Sequence, residues 1–338
     1  MPELKEDFLL MSGDVMLDVD FNRFIRFHKE HNALASLTVH PNNHPFDSSL
    51  IVTEILPASN GGMPIHTNRV VKWMNKEDER LYYRNIVNAG IEMISPRLLE
   101  EARAKLPSLD KVDLDRDVLK PAIESGKIYA YETSEYIKDM GTPERLVEVE
   151  SDLLSGKIAA HNLSVKQKAV FLDRDGTINK TSGFLTDIND FELIEGAAEA
   201  IKQINKSGYL AVVVTNQPVI ARGECSFEQL QEIHNKMETL LGKEGAFIDG
   251  LFLCPHHTDK GFEGERIEYK VECECRKPKA GLFVQAQKAL NIDLSQSYMV
   301  GDSAIDIKAA ENAGCKKALL IETNAKNALL SVVNDILK

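Results

Sequence analysis

At 338 residues, with 43% hydrophobic and 27% charged residues, the chain has the make-up of a globular protein with room for two domains. A net charge of -12 argues against non-specific binding to nucleic acid or to an anionic membrane, both of which need a basic face, while leaving small phosphorylated molecules open. No apolar run approaches the roughly 20 residues of a membrane helix, and the five cysteines, three of them between Cys254 and Cys275, do not make a disulfide framework.

The start, Met1-Pro2-Glu3-Leu4-Lys5-Glu6-Asp7, has no basic stretch leading an apolar one, so no signal peptide is expected and the reducing cytoplasm is the expected location. Phe8-Leu9-Leu10-Met11 reads as a strand ending at Ser12-Gly13-Asp14. Phe21 to Lys29 has helical spacing, and Leu34 to Val39 returns to strand. Residues 57–69, rich in Pro, Gly, Asn and Ser, read as a loop. Asn85 to Ile94 is a strand, Ser95-Pro96 opens a helix, Ile128 to Tyr131 is a short strand, and Thr142-Pro143-Glu144 starts another helix. The alternation predicts an α/β domain over residues 1–158.

Ser12-Gly13-Asp14, Asn88-Ala89-Gly90-Ile91 and Lys138-Asp139-Met140-Gly141-Thr142-Pro143 together resemble sugar-1-phosphate nucleotidyltransferases. The resemblance implies a divalent cation between Asp14 and Asp139. That family begins with a glycine-rich nucleotide-binding loop and a basic residue, well before the Gly-Asp pair. Here Asp14 lies almost at the start, and Gly61-Gly62 comes too late. The expectation is an incomplete, partial transferase-like domain without transferase activity, in which a Mg2+ site at Asp14 and Asp139 is vestigial.

Leu153-Leu154-Ser155-Gly156-Lys157 closes this domain. Residues 159–168, polar and aperiodic, are the expected linker to a second domain at 169–338. There the apolar run Ala169 to Leu172 delivers Asp173 and Asp175, which share a face in an extended chain, before Gly176 breaks the strand. Two carboxylates so close favour a divalent cation or a shared proton. A helix follows at Gly196 to Lys206, then the near-continuous apolar strand Leu210 to Thr215, as a parallel sheet buried on both faces requires. Further strands at Gly250 to Leu253, Tyr298 to Val300 and Ala318 to Ile321 alternate with helices at about 227–241, 281–290 and 304–313. The pattern predicts a doubly wound, Rossmann-like α/β domain whose ligands sit at the carboxyl ends of its strands. Thr215-Asn216-Gln217, Arg276-Lys277-Pro278 and Gly301-Asp302-Ser303 fall at such ends or just before helices, with Asp306 one turn on.

Asp pair, Thr, Lys and distal Asp, in that order, resemble the four motifs of haloacid-dehalogenase-like phosphatases over residues 168 to about 322. The resemblance implies Asp173 as nucleophile, forming an aspartyl-phosphate, and Asp175 as general acid and then base. It implies Mg2+ between Asp173, the backbone carbonyl of Asp175 and Asp302. Thr215 and Lys277 would stabilise the transferring phosphoryl group.

Cys254-Pro255-His256-His257 and Cys273-Glu274-Cys275 bracket a polar insert. Three thiolates and one imidazole suit a closed, structural Zn2+ at Cys254, His256, Cys273 and Cys275, against the plainer reading of unligated cysteines beside a surface histidine. His257 reads as a bystander, and Cys225 and Cys315 as ordinary thiols. An ion here would fix the loop that presents Arg276 and Lys277. This placement resembles the D,D-heptose 1,7-bisphosphate phosphatase branch, close to histidinol-phosphate phosphatases. It implies that Thr181, Ser182, Gly183, Phe184, Asn216, Gln217, Pro218 and Arg276 line a small phosphorylated sugar, with Arg276 on its distal phosphate. The branch usually reads Asn-Gln-Ser-Gly-Ile-Ala-Arg-Gly, whereas this chain has Pro218 and Val219 in place of the Ser and Gly. The expected reaction is loss of the 7-phosphate from D-glycero-D-manno-heptose 1,7-bisphosphate. Histidinol phosphate is the alternative substrate, and a non-catalytic assembly protein the alternative from another class. The product, a sugar 1-phosphate, is the substrate class of the enzymes the first half resembles.

Overall fold

The computed structural model describes residues 4–59, 61–106 and 111–338. By contacts the chain forms two units. One holds Met1–His40, Pro45–Glu79 and Ile86–Asn162; the other holds Pro41–His44, Arg80–Asn85 and Leu163–Lys338.

The strands of the first unit are β1 (Phe8–Met11), β2 (Val15–Asp18), β3 (Ala35–His40), β4 (Leu50–Leu56), β5 (Ile65–Met74), β6 (Val87–Ile94), β7 (Ile128–Glu132) and β8 (Tyr136–Asp139). Its helices are α1 (Phe21–Glu30), α2 (Pro96–Lys105), the single turn α3 (Lys120–Ala122), α4 (Pro143–Leu154) and α5 (Lys157–Ala160). A six-stranded sheet runs β1-β6-β3-β7-β5-β4, with β3 and β7 parallel and its other neighbours antiparallel. Strand β3 is buried on both sides, its apolar Ala35, Leu37 and Val39 on one face and Ser36 and Thr38 on the other, where Ser36 bonds His28 of α1 at 2.9 Å. Leu37 and Val39 pack with Ile94, Ile128 and Leu98 of α2, while Phe24 of α1 packs with Ile91 and Met93 on the other face. Of the expected 57–69 loop, residues 65–69 are strand: their partners come from the backbone of β4, and a polar run such as His66-Thr67-Asn68-Arg69 carries no apolar signal for that pairing. A separate antiparallel pair, β2 with β8, sets Val15 opposite Asp139.

In the second unit β9 (Lys168–Leu172), β10 (Tyr209–Asn216), β11 (Gly250–Cys254), β12 (Tyr298–Gly301) and β13 (Lys317–Leu320) form an all-parallel sheet in the order β11-β10-β9-β12-β13. The chain steps outward from β9 through β10 and β11, then returns to the other side of β9 with β12. The order therefore reverses between β9 and β12, where doubly wound sheets open a crevice beyond their carboxyl ends. Helices α6 (Ala197–Lys206), α7 (Phe227–Lys243) and α10 (Ala328–Leu337) cover one face through Ile201, Ile204, Ile233, Met237 and Val333. Helices α8 (Gly281–Leu290) and α9 (Ala304–Ala313) cover the other through Leu282, Phe283, Ala286 and Ala309. Each large apolar side chain so buried contributes about 1.5–3 kcal/mol. Helix α10 was not expected from the sequence. It opens on Asn327 in the left-handed region (φ 59°) with no side-chain cap, so the usual start signal is missing.

Residues 41–44 and 80–85 belong with this unit too. Thr239 on α7 accepts from the Tyr83 N–H and donates to its carbonyl, and Glu238 accepts from the Asn85 N–H at 2.7 Å. The expected 159–168 linker is largely structured. Ala159 and Ala160 end α5, and the division falls after Asn162. The Asn291 amide then donates to the carbonyls of Leu163 (2.9 Å) and Val165 (3.0 Å), and Gln167 exchanges backbone bonds with Asn291 and Asp293. No helix among the described residues is long and apolar enough to cross a membrane.

Candidate active site

Asp173 leaves the end of β9 with its N–H donated to the Val300 carbonyl of β12, which fixes its backbone at the reversal of strand order. The Lys277 ammonium, itself buried, donates to Asp173 Oδ1 at 2.7 Å and to the Val214 carbonyl at 2.8 Å, and lies 2.6 Å from Asp306 Oδ1. Burial pushes the Asp173 carboxyl up; Lys277 opposes this and Asp306 adds to it. Burial also works against the Lys277 charge, but Asp173 and Asp306 outweigh it and hold the amine above its usual value. Asp302 follows β12, and its carboxyl is raised by burial and by Asp306 against a bond from Thr323. Oxygens of Asp173, Asp302 and Asp306 all lie within 4.8 Å of one another. Three carboxylates thus face one ammonium, an excess of two negative charges, which is the charge of one divalent ion. The all-oxygen donor set fits Mg2+. Asp306 was visible in the sequence only as an acid one turn beyond Asp302; here it braces Lys277 and caps α9 through the Ser303 N–H.

Asp175 sits in a separate, neutralised pocket. Arg174, fully buried, donates Nη2 to both Asp175 oxygens at 2.8 Å and Nε to Oδ1 at 3.1 Å. The amides of Asn179 and Gln217 each add a bond at 2.9 Å. Burial disfavours the Asp175 charge, but Arg174, Asn179 and Gln217 prevail and hold the carboxyl below its usual range. With its side chain so engaged, what Asp175 has left for a metal is its carbonyl.

The residues expected to line the substrate divide into two sets. Thr215 is buried, its hydroxyl accepting from Gln217 at 2.8 Å. Asn216 clamps the backbone of Lys277, accepting from its N–H (3.0 Å) and donating to its carbonyl (3.1 Å). Asn216 and Gln217 therefore hold Lys277, Thr215 and Asp175 in place, and their side chains are not free lining. Pro218 is buried, as is Val219 beside it. Thr181, tied to Asn324 through its N–H, leads to exposed Ser182, Gly183 and Phe184. The Phe184 ring stacks on Arg222, whose guanidinium is 4.5 Å from that ring and 4.1 Å from Phe262. Neither Arg222 nor Phe262 stands out in the sequence as a site residue. Arg276 donates to the His256 carbonyl at 3.0 Å.

Cys254, His256, Cys273 and Cys275 converge. Their sulfur–sulfur separations are 3.1, 3.4 and 3.6 Å, and His256 Nδ1 lies 3.4 Å from Cys275 and 3.7 Å from Cys254. A tetrahedral zinc with bonds of about 2.0–2.3 Å needs edges of roughly 3.5–3.8 Å, so the four donors fit the ion with small adjustments. Hydrogen bonding from Cys254 holds the Cys275 thiol down to about 5, while the same contact and burial push Cys254 far up, the behaviour of thiols crowded around one charge. His257 stands apart, 3.5 Å from Asp259, and Cys225 and Cys315 lie outside the cluster.

In the first unit the pairing of β2 with β8 brings Asp14 and Asp139 to one turn, where the Met140 N–H donates to the Asp14 carbonyl. Arg145 and the Gly141 N–H both occupy the Asp139 carboxylate at 2.5 Å. A guanidinium there already supplies the charge that a cation would.

Residues 274–331 match a family model described as HAD-hydrolase-like. A D-glycero-beta-D-manno-heptose-1,7-bisphosphate 7-phosphatase of Haemophilus ducreyi is 51% identical over 158 residues, 46% of this chain and 84% of that protein. Its namesake in Vibrio cholerae is 44% identical over 175 residues, 50% of this chain and 92% of its own. Among solved structures, a D,D-heptose 1.7-bisphosphate phosphatase from B. bronchiseptica, complexed with magnesium and phosphate, is similar at 29% identity. It covers 51% of this chain and 98% of its own, with a TM-score of 0.44.

Proposed function

The chain belongs to the haloacid-dehalogenase-like phosphatases of the heptose-bisphosphate branch, and from that premise we propose that it hydrolyses the 7-phosphate of D-glycero-beta-D-manno-heptose 1,7-bisphosphate through an aspartyl-phosphate on Asp173. It is a phosphoric monoester hydrolase. One observation carries the mechanistic reading: Asp173 stands with Asp302 and Asp306 in a carboxylate cluster around Lys277 that suits a divalent ion, whereas Asp175, two residues on, lies outside that cluster and is paired with Arg174. Environments that separate two carboxylates divide their roles. Asp173 Oδ attacks phosphorus while the bond to the leaving oxygen breaks, and Asp175, ionised at rest and driven to its acid form by the negative charge of the incoming phosphate, gives that oxygen its proton. Water, giving a proton to Asp175, then attacks the acyl phosphate and frees Asp173. Lys277 and Thr215 offset the charge on the transferring group.

Asp173, Asp302 and the Asp175 carbonyl, with Asp306 behind them, would hold Mg2+, which when bound neutralises nucleophile and phosphate together. Cys254, His256, Cys273 and Cys275 would hold a structural Zn2+ that braces the loop carrying Arg276, the proposed contact to the 1-phosphate. Thr181 to Phe184 and Pro218 would complete the sugar's surroundings. Five unpaired cysteines suit a reducing cytoplasm. The first unit, whose Asp139 carboxylate is taken by Arg145, is proposed to be inactive as a transferase; the phosphatase product is nonetheless the substrate class such a domain would take.

The test is phosphate release, with magnesium, from both anomers of the heptose bisphosphate, histidinol phosphate and fructose 1,6-bisphosphate, by the parent and by Asp173→Asn. The beta heptose is expected to be preferred, with Asp173→Asn slower by at least about 1,000-fold. Preference for histidinol phosphate would overturn the substrate, and full activity of Asp173→Asn the mechanism.

A further inference from the structure

Arg174 is a cation with no exposure, paired with Asp175 at 2.8 Å. Its Nε and Nη2 serve Asp175, and Nη2 also donates to Gln217 Oε1 at 3.1 Å. The far corner, Nη1, donates to Nε2 of His234 at 3.0 Å. An arginine can only donate, so Nε2 must carry the lone pair and Nδ1 the proton. His234 lies on the buried face of α7, between the core residues Ile233 and Met237 on that helix. Burial, and then the Arg174 charge, push its imidazole down to about 3, so the acceptor is neutral at any working pH.

The need for such an acceptor follows from the chemistry. In the first step the proton on Asp175 passes to the leaving oxygen as the phosphorus–oxygen bond breaks and the bond to Asp173 forms. In the second step water adds to phosphorus, its proton passes to Asp175, and the Asp173–phosphorus linkage breaks. Arg174 therefore faces a carboxylate in one half of the cycle and a carboxylic acid in the other. Gln217 bonds Asp175 directly and shares its changes. Among the described residues, the Arg174 side chain bonds Asp175, Gln217 and His234, and of these His234 is the one that neither bonds Asp175 nor changes charge.

We infer that His234 is a positioning residue for leaving-group protonation: by accepting from Arg174 Nη1 it keeps the guanidinium edge, and with it Asp175, aimed while the Asp175 proton comes and goes. This rests on the phosphatase reading above. The experiment compares His234→Leu, which removes the acceptor, with His234→Gln, whose amide oxygen can replace it. Single-turnover release of the leaving group is followed from the heptose bisphosphate, whose alkoxide needs a proton, and from p-nitrophenyl phosphate, whose phenolate does not. His234→Leu is expected to slow the sugar substrate by about 10-fold or more, with KM within about twofold, and the aryl substrate by less than about threefold, while His234→Gln stays near the parent on both. Equal losses on the two substrates, a Gln variant as impaired as Leu, or a Leu variant near the parent on the sugar would each overturn the assignment. A parent enzyme that turns over neither substrate would instead remove the phosphatase reading beneath it.

Discussion

Gly176 has no side chain because none would fit: a Cβ there would run into Asp302 Oδ2, and its φ of 78° suits glycine. Gly301 is under the same constraint from Asp306. The carboxylates that gather at the strand ends thus depend on two positions where the backbone comes close enough to admit them. Glu92 of β6 shows a different constraint. It is 2% exposed, and burial, then Asp115, push its carboxyl up to about 7, against a bond from Asn88. The folded state binds that proton more tightly than the unfolded chain, whose value is 4.5, so the stability it contributes is full below 4.5 and is lost as pH rises through about 7. Between pH 4.5 and 8 the parent should lose about 3 kcal/mol relative to Glu92→Gln in denaturant unfolding. Fluorescence of Trp73, the one tryptophan of the chain, reports on this unit. Parallel pH profiles for the two proteins would contradict the assignment.

At the scale of elements, the segment from β11 to α8 acts as one piece. Cys254 ends β11, Cys275 adjoins Arg276 and Lys277, and the Gly281 N–H that opens α8 donates back to the Glu274 carbonyl at 3.0 Å. Removing zinc with a chelator, or substituting Cys275→Ser, is expected to cut phosphate release by about 10-fold or more, because Lys277 loses its bracing from one side. Added zinc, and not added magnesium, should restore the chelated protein. Purified protein with no zinc by elemental analysis would refute the site. The strand-end residues of this unit are legible in the sequence because apolar runs such as Ala169 to Leu172 and Leu210 to Val214 each stop at a polar group. Their partners are not legible. Nothing in a linear pattern tells Asn216 to clamp Lys277 or Gln217 to turn inward, and His234 reaches Arg174 from 60 residues away. The β4–β5 hairpin escapes notice for a related reason, since its polar half is defined by what it pairs with.

For the whole molecule, the relatives match about half of the chain, and the chemistry assigned above lies in the second unit. Replacing Asp14 and Asp139 together by asparagine is therefore expected to leave phosphate release within about twofold of the parent, and the parent to release no pyrophosphate from a nucleoside triphosphate and a sugar 1-phosphate. Pyrophosphate release that is lost in the double variant would make the first unit a working transferase. Its paired aspartates were foreseeable from three short motifs, but the Arg145 that occupies Asp139 was not, because Arg145 opens α4 as an ordinary first-turn residue after Thr142-Pro143. The stitching of Leu163, Val165 and Gln167 to Asn291 and Asp293 has a mechanical corollary. Tension arriving along the chain ahead of β9 meets first the hydrogen bonds to Asn291 and Asp293, just past the end of α8. The strand that leads to Asp173 is thus reached only after these bonds have given way.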